Sequence, residues 1–511
     1  MNSPPLADTA AFKPLPHMLR EHARRSPQQP ALGDDGSTLT YAQLDALMDR
    51  IACALQRDGI KPGQSIAICA LNSVRYAALF LGALRAGVVV APMAPSSSPE
   101  SLASMLRDAQ ARCLFLDASA PKLATYSDAA LPCISMDGIA GGRSFDGWLA
   151  PEGAQPMPVD IAPGDAFNII YSSGTTGVPK GIVQSHGMRW THVKRGSTYD
   201  YSAHTITLLA TPLYSNTTLV VFFPTMAWGG RVQLMPKFDA LRYVQLAEQH
   251  RATHTMLVPV QYQRIMALPE FGEFDLSSFR FKFCTSAPFR AALKADVLAR
   301  WPGHLTEFYG MTEGGGTCIL EAHLHPDKLH TVGQPAQDHD IRLIDESGQE
   351  VGTGEAGEVV GHSAGMMTGY HGQPAKTRET EWFDPQGKRF IRTGDVGRFD
   401  DQGFLTLIDR RKDMIISGGF NIYPSDLEEQ LMMHPSVREA AVVGVPSEQW
   451  GETPVAFVVP QSARVGRDEL LGWFNQRAGK IQRLADLQFV KELPRSAIGK
   501  VLKRELREGY R

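Results

Sequence analysis

The first half of the chain alternates stretches that have helical spacing of apolar residues with short, continuous apolar runs. The segment TYAQLDALMDRIACALQRDG begins at Thr40, a favourable helix N-cap residue, and ends at Gly59. The run QSIAICAL then predicts a buried strand, and VRYAALFLGALRAG predicts the next helix. Such alternation predicts an α/β fold with a largely parallel sheet.

Four later apolar runs predict further strands: ARCLFLD, FNIIYSS, THTMLVPV and RFKFCTSA. Each ends in small or polar residues. Because α/β folds place their sites at the carboxyl ends of parallel strands, the loops after these runs are candidate site loops.

The pattern changes near residue 400. A dense run of charge from Asp409 to Asp413 is followed by a glycine pair and then by mixed helical and strand-like segments. We therefore predict a large α/β domain over residues 1–408 and a small α+β domain over residues 409–511.

Composition narrows the class of protein. With 511 residues and 43% hydrophobic content, the chain can bury a large core in more than one domain. A net charge of −3 argues against a nucleic-acid binder, so small molecules are the expected partners. The six cysteines include no CxxC pair, and no apolar run suits a signal peptide or a membrane span. We expect a soluble, cytoplasmic protein with reduced thiols.

The stretch YSSGTTGVPKG, from Tyr171 to Gly181, has the chemistry of a phosphate-binding loop. Its glycines let backbone N–H groups converge, its hydroxyls add donors, and Lys180 adds positive charge. It is not a Walker A motif, because Lys180 follows Pro179 and precedes Gly181. A linker or a surface turn is the alternative interpretation.

The longer stretch YSSGTTGVPKGIVQSH closely resembles the signature loop of the adenylate-forming superfamily, which includes acyl-CoA and aryl-CoA ligases, adenylation domains of peptide synthetases, and luciferases. LTYAQLD, GALRAGVVVAP and AIGK follow the family's order, so the resemblance covers nearly the whole chain. It implies a large N-terminal domain of layered α/β subdomains, a small mobile α+β C-terminal domain, and the use of ATP, Mg²⁺ and coenzyme A. In this loop it implies a catalytic Lys180, a Mg²⁺ ligand in Thr176, and nucleotide contacts from Ser172, Ser173, Gly174, Thr175, Thr176 and Gly177.

Two further motifs match the family's adenine-binding segments. In EFYGMTEGG, an aromatic ring can stack on adenine and a carboxylate is a hard ligand for Mg²⁺. By resemblance, Tyr309 stacks, Thr312 contacts phosphate, and Glu313 holds the metal as a catalytic residue. The remaining implied nucleotide contacts are Gly310 and Met311 here, and Ala287 and Pro288 in CTSAPFR.

Three charged residues complete the implied nucleotide site. A carboxylate at Asp395 can accept hydrogen bonds from both ribose hydroxyls, and Arg410 can reach ribose or phosphate oxygens. Alone, either would be interpreted as a turn residue or a surface ion pair. Lys500, in the Ile-Gly-Lys context of AIGK, matches the family's catalytic lysine, which would lower the barrier between two anions electrostatically.

The resemblance also implies a domain rotation between two half-reactions. Lys412, within DRRKD, matches the hinge. After rotation, the implied coenzyme A tunnel is formed by Gly418, Gly419, Phe420 and Trp450. An ordinary hairpin turn is the alternative for the glycine pair.

The acid pocket is implied at residues from four segments: Tyr214, Ser215, Asn216, Val260, Tyr262, Ser286, Gly314 and Gly315. The glycines would leave space and the aromatic walls would be apolar, which favours a hydrophobic acid, aromatic or medium-chain. Ser215 stands where many of these ligases have a gate histidine. No aspartate lies between Pro212 and Arg231 to hold an ammonium group, which disfavours an α-amino acid.

The leading hypothesis is an ATP-dependent acid–CoA ligase, a monomer or homodimer, that releases AMP and pyrophosphate. The chain ends soon after Lys500, so a free acceptor is expected rather than a fused carrier domain. The second hypothesis transfers the acyl group to a carrier protein or an amine, and the third is a non-catalytic nucleotide sensor. Arg189, Trp190 and Lys194 remain open between coenzyme A phosphate contacts and exposed helix residues.

Overall fold

The computed structural model describes residues 11–120, 131–139, 142–172, 180–410, 412–417, 420–461, 465–479, 482–496 and 499–510. Within these ranges the helices are α1 (Leu15–Arg25), α2 (Tyr41–Arg57), α3 (Val74–Arg85), α4 (Pro99–Asp108), α5 (Phe145–Trp148), α6 (His186–Lys194), α7 (Asn216–Ala227), α8 (Ala240–His250), α9 (Pro259–Met266), α10 (Ala291–Arg300), α11 (Pro374–Glu379), α12 (Pro424–Met432), α13 (Arg467–Asn475) and α14 (Lys503–Gly509). No described helix combines the length and apolar character needed to cross a membrane.

The strands before residue 211 are β1 (Pro30–Gly33), β2 (Thr38–Thr40), β3 (Ser65–Cys69), β4 (Val89–Met93), β5 (Leu114–Leu116), β6 (Cys133–Ser135), β7 (Arg143–Ser144), β8 (Ala166–Ser172), β9 (Lys180–Ser185) and β10 (Ile206–Leu209). The middle strands are β11 (Arg231–Leu234), β12 (His254–Leu257), β13 (Phe281–Cys284), β14 (His304–Gly310), β15 (Thr317–Glu321), β16 (Gln334–Pro335), β17 (Asp340–Ile344), β18 (Gly357–His362) and β19 (Gly369–Tyr370). The last strands are β20 (Glu381–Phe383), β21 (Arg389–Phe399), β22 (Leu405–Arg410), β23 (Ile415–Ser417), β24 (Phe420–Ile422), β25 (Val437–Ser447), β26 (Gly451–Pro460) and β27 (Asp486–Phe489).

Two large sheets form the N-terminal part. Sheet 1 has the order β19-β9-β8-β4-β3-β5-β6-β7, and sheet 2 has the order β16-β15-β14-β13-β12-β10-β11-β1-β2. Both have a parallel centre, whereas β9 and β19 in sheet 1, and β2, β15 and β16 in sheet 2, run antiparallel at the edges. The predicted α/β class is confirmed, and the antiparallel edges refine the prediction of a largely parallel sheet.

The predicted elements of the first half are present. Thr40 caps α2 through a reciprocal capping box with Gln43, as its side chain accepts from the Gln43 N–H and the Gln43 side chain accepts from its N–H. The buried strand β3 and the helix α3 follow as predicted, and α3 is buried along nearly its whole length between neighbouring elements. No disulfide joins any two of the six cysteines, all of which lie in the described ranges.

Two smaller, mainly antiparallel sheets follow, in which β27 alone among the described strands runs parallel to its neighbour, β26. Sheet 3 has the order β17-β18-β21-β20 with β22 on β21, and sheet 4 has the order β24-β23-β26-β25 with β27 on β26. The chain passes from sheet 3 to sheet 4 between Arg410 and Ile415. The boundary expected after residue 408 falls inside β22, so the charged run supplies the end of one sheet and the connection to the next.

Candidate active site

The first site cluster joins β9, β19 and the turn after β14. Lys180 begins β9, opposite Ser172 at the end of β8, so the predicted phosphate loop connects two antiparallel strands. The Lys180 ammonium lies 5.1 Å from the ring centroid of Tyr370, and the Tyr370 hydroxyl donates to Glu313 Oε1 at 2.9 Å. The structure therefore brings the two predicted catalytic residues together through a tyrosine that the sequence motifs did not indicate.

Most of the phosphate loop lies outside the described residues. This concerns the predicted nucleotide contacts Ser173, Gly174, Thr175, Thr176 and Gly177, including the second Mg²⁺ ligand. The structure describes the two strands that flank this loop, β8 and β9.

A second cluster lies where β14 meets sheet 3. Tyr309 donates its hydroxyl hydrogen to Asp395 Oδ2 at 2.9 Å, and Arg410 Nε lies 3.0 Å from Asp395 Oδ1. Asp395 and Arg410 are directly paired across β21 and β22. Burial, followed by the charge of Asp395, raises the pKa of Tyr309 well above its ordinary value, so the phenol stays protonated. The predicted adenine and ribose residues are thus one connected group.

Lys500 belongs to the same region, although it lies in the C-terminal domain. Burial and the nearby cations Arg410 and Lys412 lower its pKa to about 8, against the opposing effect of Asp395. The loop that holds it is tight, because Gly499 has φ +76° and the Ser496 N–H bonds to the Lys500 carbonyl at 2.8 Å. The catalytic lysine predicted from AIGK therefore lies near the predicted ribose carboxylate.

The same loop contacts one predicted wall of the acid pocket. A Cβ atom placed on Gly499 would lie 2.7 Å from Val260 Cγ1, so the backbone of this glycine packs directly on the valine. Val260 is half-buried near the start of α9. The small domain thus covers the region around Val260 in this orientation.

The first turn of α7 is hydrogen-bonded to a strained residue that follows β13. Ser215 caps α7 by accepting from the Thr217 N–H at 3.3 Å. Thr217 Oγ1 lies 2.5 Å from Ser286 Oγ, and Ser286 has φ +83°, an unfavourable conformation for a residue with a Cβ. Such strain concentrates at functional sites. Burial raises the pKa of the neighbouring Tyr214 to about 12.

The glycines after Glu313 have a different role from the predicted one. A Cβ on Gly314, at φ +74°, would lie 1.9 Å from the Gly365 carbonyl oxygen, and one on Gly315 would lie 2.7 Å from Ile391 Cβ. The protein itself fills the space that side chains would need. The prediction that these glycines enlarge the acid pocket is therefore wrong in its reasoning: they allow the turn to pack against its neighbours.

Tyr262 was also predicted to line the acid pocket, but its side chain is fully buried in the core beneath sheet 2. Its hydroxyl donates to the Phe283 carbonyl at 2.9 Å, and its ring stacks on Phe289 with centroids 5.2 Å apart. It supports the sheet and does not face a cavity. The apolar periodicity of α9 predicts this burial, since Tyr262 and Ile265 lie on one face of the helix.

The remaining predicted adenine contacts lie at strand ends. Ala287 and Pro288 follow β13, half-buried and exposed, respectively. Gly310 ends β14, and Met311 and Thr312 are half-buried in the following turn. These positions agree with the carboxyl-end rule that located the candidate loops.

A buried polar network behind the site was missed by the sequence motifs. Arg189 is 2% exposed, so neither alternative considered for it is correct. Its guanidinium donates to Asn168 Oδ1 at 3.0 Å, to Asn216 Oδ1 at 2.8 Å and to Gln184 Oε1. Gln184 Nε2 in turn donates to the Thr312 carbonyl at 2.8 Å. The network ties the strand after the phosphate loop to the turn that carries Glu313.

The predicted hinge and coenzyme A residues lie on the small domain side. Lys412 is exposed in the connection between β22 and β23, where its N–H makes no backbone hydrogen bond to a described residue, and Trp450 is 44% exposed in the turn between β25 and β26. Phe420 begins β24, whereas Gly418 and Gly419 lie outside the described residues.

The carboxylate of Glu313 suits a magnesium site in which the protein and the phosphates of a substrate share the ligation of the ion. It makes no ion pair with a described residue, and no group of three or more His, Cys, Asp or Glu among the described residues could hold a metal by itself. Mg²⁺ in nucleotide sites uses one or two carboxylates and completes its shell with phosphate oxygens and water. One carboxylate beside a phosphate loop fits that pattern.

Comparisons with known proteins agree with this geometry. The family model for AMP-binding enzyme matches residues 19–371, and that for AMP-binding enzyme C-terminal domain matches residues 426–500. The chain is 34% identical to the feruloyl-CoA synthase of Amycolatopsis sp, over 96% of this chain and 97% of that protein. It is 32% identical to the fatty acid–[acyl-carrier-protein] ligase ScoC of Streptomyces coeruleorubidus, over 96% and 95%. The solved structure of the amide bond synthetase McbA from Marinactinospora thermotolerans superposes with a TM-score of 0.85 at 28% identity, over 97% of this chain and 99% of that one.

Proposed function

The chain belongs to the AMP-binding enzymes, the adenylate-forming family of acid–CoA ligases, and from this premise we propose that it converts a hydrophobic carboxylic acid into its coenzyme A thioester. The acid first attacks the α-phosphorus of ATP, which forms an acyl-adenylate and releases pyrophosphate. The thiol of coenzyme A then attacks the acyl carbon and releases AMP. The proposal has a general part, adenylation of the acid, and a more specific part, the choice of acceptor, because the relatives are named for different acceptors.

The observation that supports the first half-reaction best is the position of Lys500. Its side chain lies near Asp395 and Arg410, the pair that we assign to the ribose. A cation there would reduce the repulsion between the incoming carboxylate and the phosphate. With a pKa of about 8, the lysine is mostly charged at neutral pH.

Lys180 and Glu313 act on the other side of the phosphates in this proposal. The Lys180 ammonium is held over the Tyr370 ring, so it is available to the pyrophosphate oxygens while remaining oriented. Tyr370 fixes one oxygen of Glu313 and leaves the other for a cation. Mg²⁺ bound there would neutralise the charge of the departing pyrophosphate.

The second half-reaction needs Lys500 to leave. In the present orientation the lysine loop packs on Val260. We propose that rotation about Lys412 withdraws this loop and brings the segment 418–420 and Trp450 to the site, where they would flank the pantetheine arm.

Coenzyme A is the favoured acceptor because most of the named relatives are CoA ligases. Those relatives include enzymes named for ferulate, long-chain fatty acids, indoleacetate and 4-coumarate. A carrier protein or an amine is the alternative, since relatives of both kinds share the fold over nearly its whole length.

The proposal is tested by incubating the protein with ATP, Mg²⁺ and a panel of aliphatic and aromatic acids, with and without coenzyme A, and identifying products by mass spectrometry. An acyl-CoA that forms only with coenzyme A supports it. Formation of acyl-adenylate or AMP without a thioester would favour the carrier-protein or amide-forming alternative. Absence of ATP consumption with every acid would contradict the proposal.

A further inference from the structure

One face of α6 lies along the two segments that frame the predicted acid pocket. A Cβ atom on Gly314 would lie 2.8 Å from Met188 Cε, so this helix packs on the turn after Glu313. One residue later, Arg189 bonds to Asn216 at the start of α7. Residues three and four positions further along a helix lie on the same face. The side chains one turn beyond Met188 and Arg189 therefore lie on the same face of α6.

His192 is the next residue on that face, and one of its ring nitrogens lacks a partner among the described residues. Its Nδ1 atom is buried and makes no hydrogen bond in the described part of the chain, although the residue as a whole is half-buried. Burial, with the charges of Arg189 and Arg195, holds the pKa of His192 well below its ordinary value. A neutral imidazole enclosed in this way is costly unless a ligand or water bonds to it.

Arg195 and His339 meet in an unfavourable contact at the far end of the same face. The Thr317 N–H donates to His339 Nδ1 at 2.9 Å, so the neutral ring carries its hydrogen on Nε2. Arg195 Nη2 lies 2.6 Å from that Nε2 atom, and a guanidinium has only donors. Two donors thus face each other. An acceptor oxygen that bonds to both hydrogens would convert this contact into a favourable one.

The surrounding charge favours an anionic oxygen. Neither Arg189 nor Arg195 makes an ion pair with any described residue. Of the two acidic residues next to His339, Asp338 is exposed, and Asp340 is paired with Arg342 and Lys388. Arg189 is already bonded to three amide oxygens, so Arg195 is the cation that lacks a carboxylate partner and that a neutral ligand group would leave uncompensated.

We propose that His192, Arg195 and His339 form the far end of the acid pocket and bind a second carboxylate, at the end of the acid opposite its reacting carboxyl group. This inference rests on the proposed function and narrows its substrate class to acids with an apolar body and an anionic tip. The three residues are specificity-determining residues, because they contact the part of the acid that does not react.

The test compares acids that share a skeleton and differ at the far end: decanedioate against decanoate and its terminally hydroxylated form, and para-carboxycinnamate against para-hydroxycinnamate and para-methylcinnamate. AMP release gives kcat/KM for each acid with the wild-type protein, Arg195→Leu and Lys194→Leu. Lys194 is the matched control, since it is the adjacent cation, at the last position of α6, and is exposed.

We expect the wild-type protein to prefer the carboxylate-tipped acid of a set by at least about tenfold. Arg195→Leu should lower kcat/KM for that acid about 100-fold and spare the methyl-tipped acid, while Lys194→Leu changes neither. Preference for the methyl-tipped or hydroxyl-tipped acid, or equal losses for all acids in Arg195→Leu, would overturn the inference and leave the proposed function intact.

A binding measurement separates the two proposals if no acid is turned over. The melting temperature of the wild-type protein should rise with the carboxylate-tipped acid alone and should not rise in Arg195→Leu. A rise of this kind without AMP release would contradict the proposed function and support the anionic subsite. No rise with any carboxylate-tipped acid would overturn the subsite.

Discussion

At the scale of single residues, the site is organised by how each side chain is held by its neighbours. Tyr370 positions both Lys180 and Glu313, and Asp395 connects Tyr309 to Arg410. The sequence motifs identified five of these six residues. They missed Tyr370 because it lies nearly two hundred positions from Lys180 and becomes its neighbour only through the pairing of β19 with β9.

The lowered pKa of Lys500 predicts how the first half-reaction depends on pH. The charged ammonium is the active form, so adenylate formation should fall as pH rises through about 8, approaching tenfold per pH unit. Lys500→Ala should lose about 100- to 1,000-fold at neutral pH. In Lys500→Arg the guanidinium stays charged, so its residual rate should be flat between about pH 7 and pH 10. Pyrophosphate release measured across this range checks the prediction, and a falling rate in Lys500→Arg would assign the titration to another group.

The hydroxyl of Tyr370 is expected to contribute to activity through Glu313. Tyr370→Phe keeps the ring beneath Lys180 and removes the 2.9 Å hydrogen bond to Glu313, which should lower kcat about five- to tenfold. Tyr510→Phe is the matched control, because Tyr510 also donates to a carboxylate, Asp486, at 3.2 Å in the small domain. Equal effects of the two substitutions on kcat would contradict a positioning role for Tyr370.

At the scale of elements, apolar periodicity predicted α2, β3 and α3 because each buries a continuous face or run. The carboxyl-end rule then located the loops after β8 and β13. Periodicity could not indicate which glycines are packed and which line a pocket, since that depends on contacts between β18, β21 and the turn after β14. Tyr262 was misplaced for a related reason: its motif position outweighed its place on the buried face of α9.

The turn after β14 should therefore be intolerant of side chains. Gly314→Ala adds a clash with the Gly365 carbonyl to the strain of a positive φ, and should destabilise the protein by more than about 3 kcal/mol. Gly354→Ala shares the positive φ, at +85°, but meets nothing within 4 Å, and should cost about 1–2 kcal/mol. Urea unfolding compares the two, and equal losses would show that the clash at Gly314 is relieved by movement.

At the scale of the whole molecule, the account requires two orientations of the small domain. The present one places Lys500 near Asp395 and Arg410, which we assign to the ribose, and packs Gly499 on Val260. The sequence indicated two domains, because the pattern of charged and apolar residues changes near residue 400. It could not indicate their orientation, because the contacts between Val260 and the lysine loop join positions more than two hundred residues apart.

A restricted hinge should separate the half-reactions. Lys412→Pro removes an N–H that makes no backbone hydrogen bond to a described residue, so the fold should tolerate it, but it fixes φ at about −65°. We expect adenylate formation to persist and thioester formation to fall at least about tenfold. Lys412→Ala, which retains backbone freedom, should leave both unchanged. Parallel loss of both half-reactions in Lys412→Pro would argue against a hinge at this residue.

The central claim is that the oxygen of a carboxylic acid attacks the α-phosphorus of ATP. Turnover of an acid labelled with ¹⁸O in its carboxyl group, followed by mass spectrometry of the released nucleotide, tests it directly, because the acyl C–O bond breaks in the second step and the phosphorus keeps the oxygen. The account predicts one ¹⁸O in the phosphate group of each AMP. Unlabelled AMP, or label in inorganic phosphate together with ADP, would contradict it.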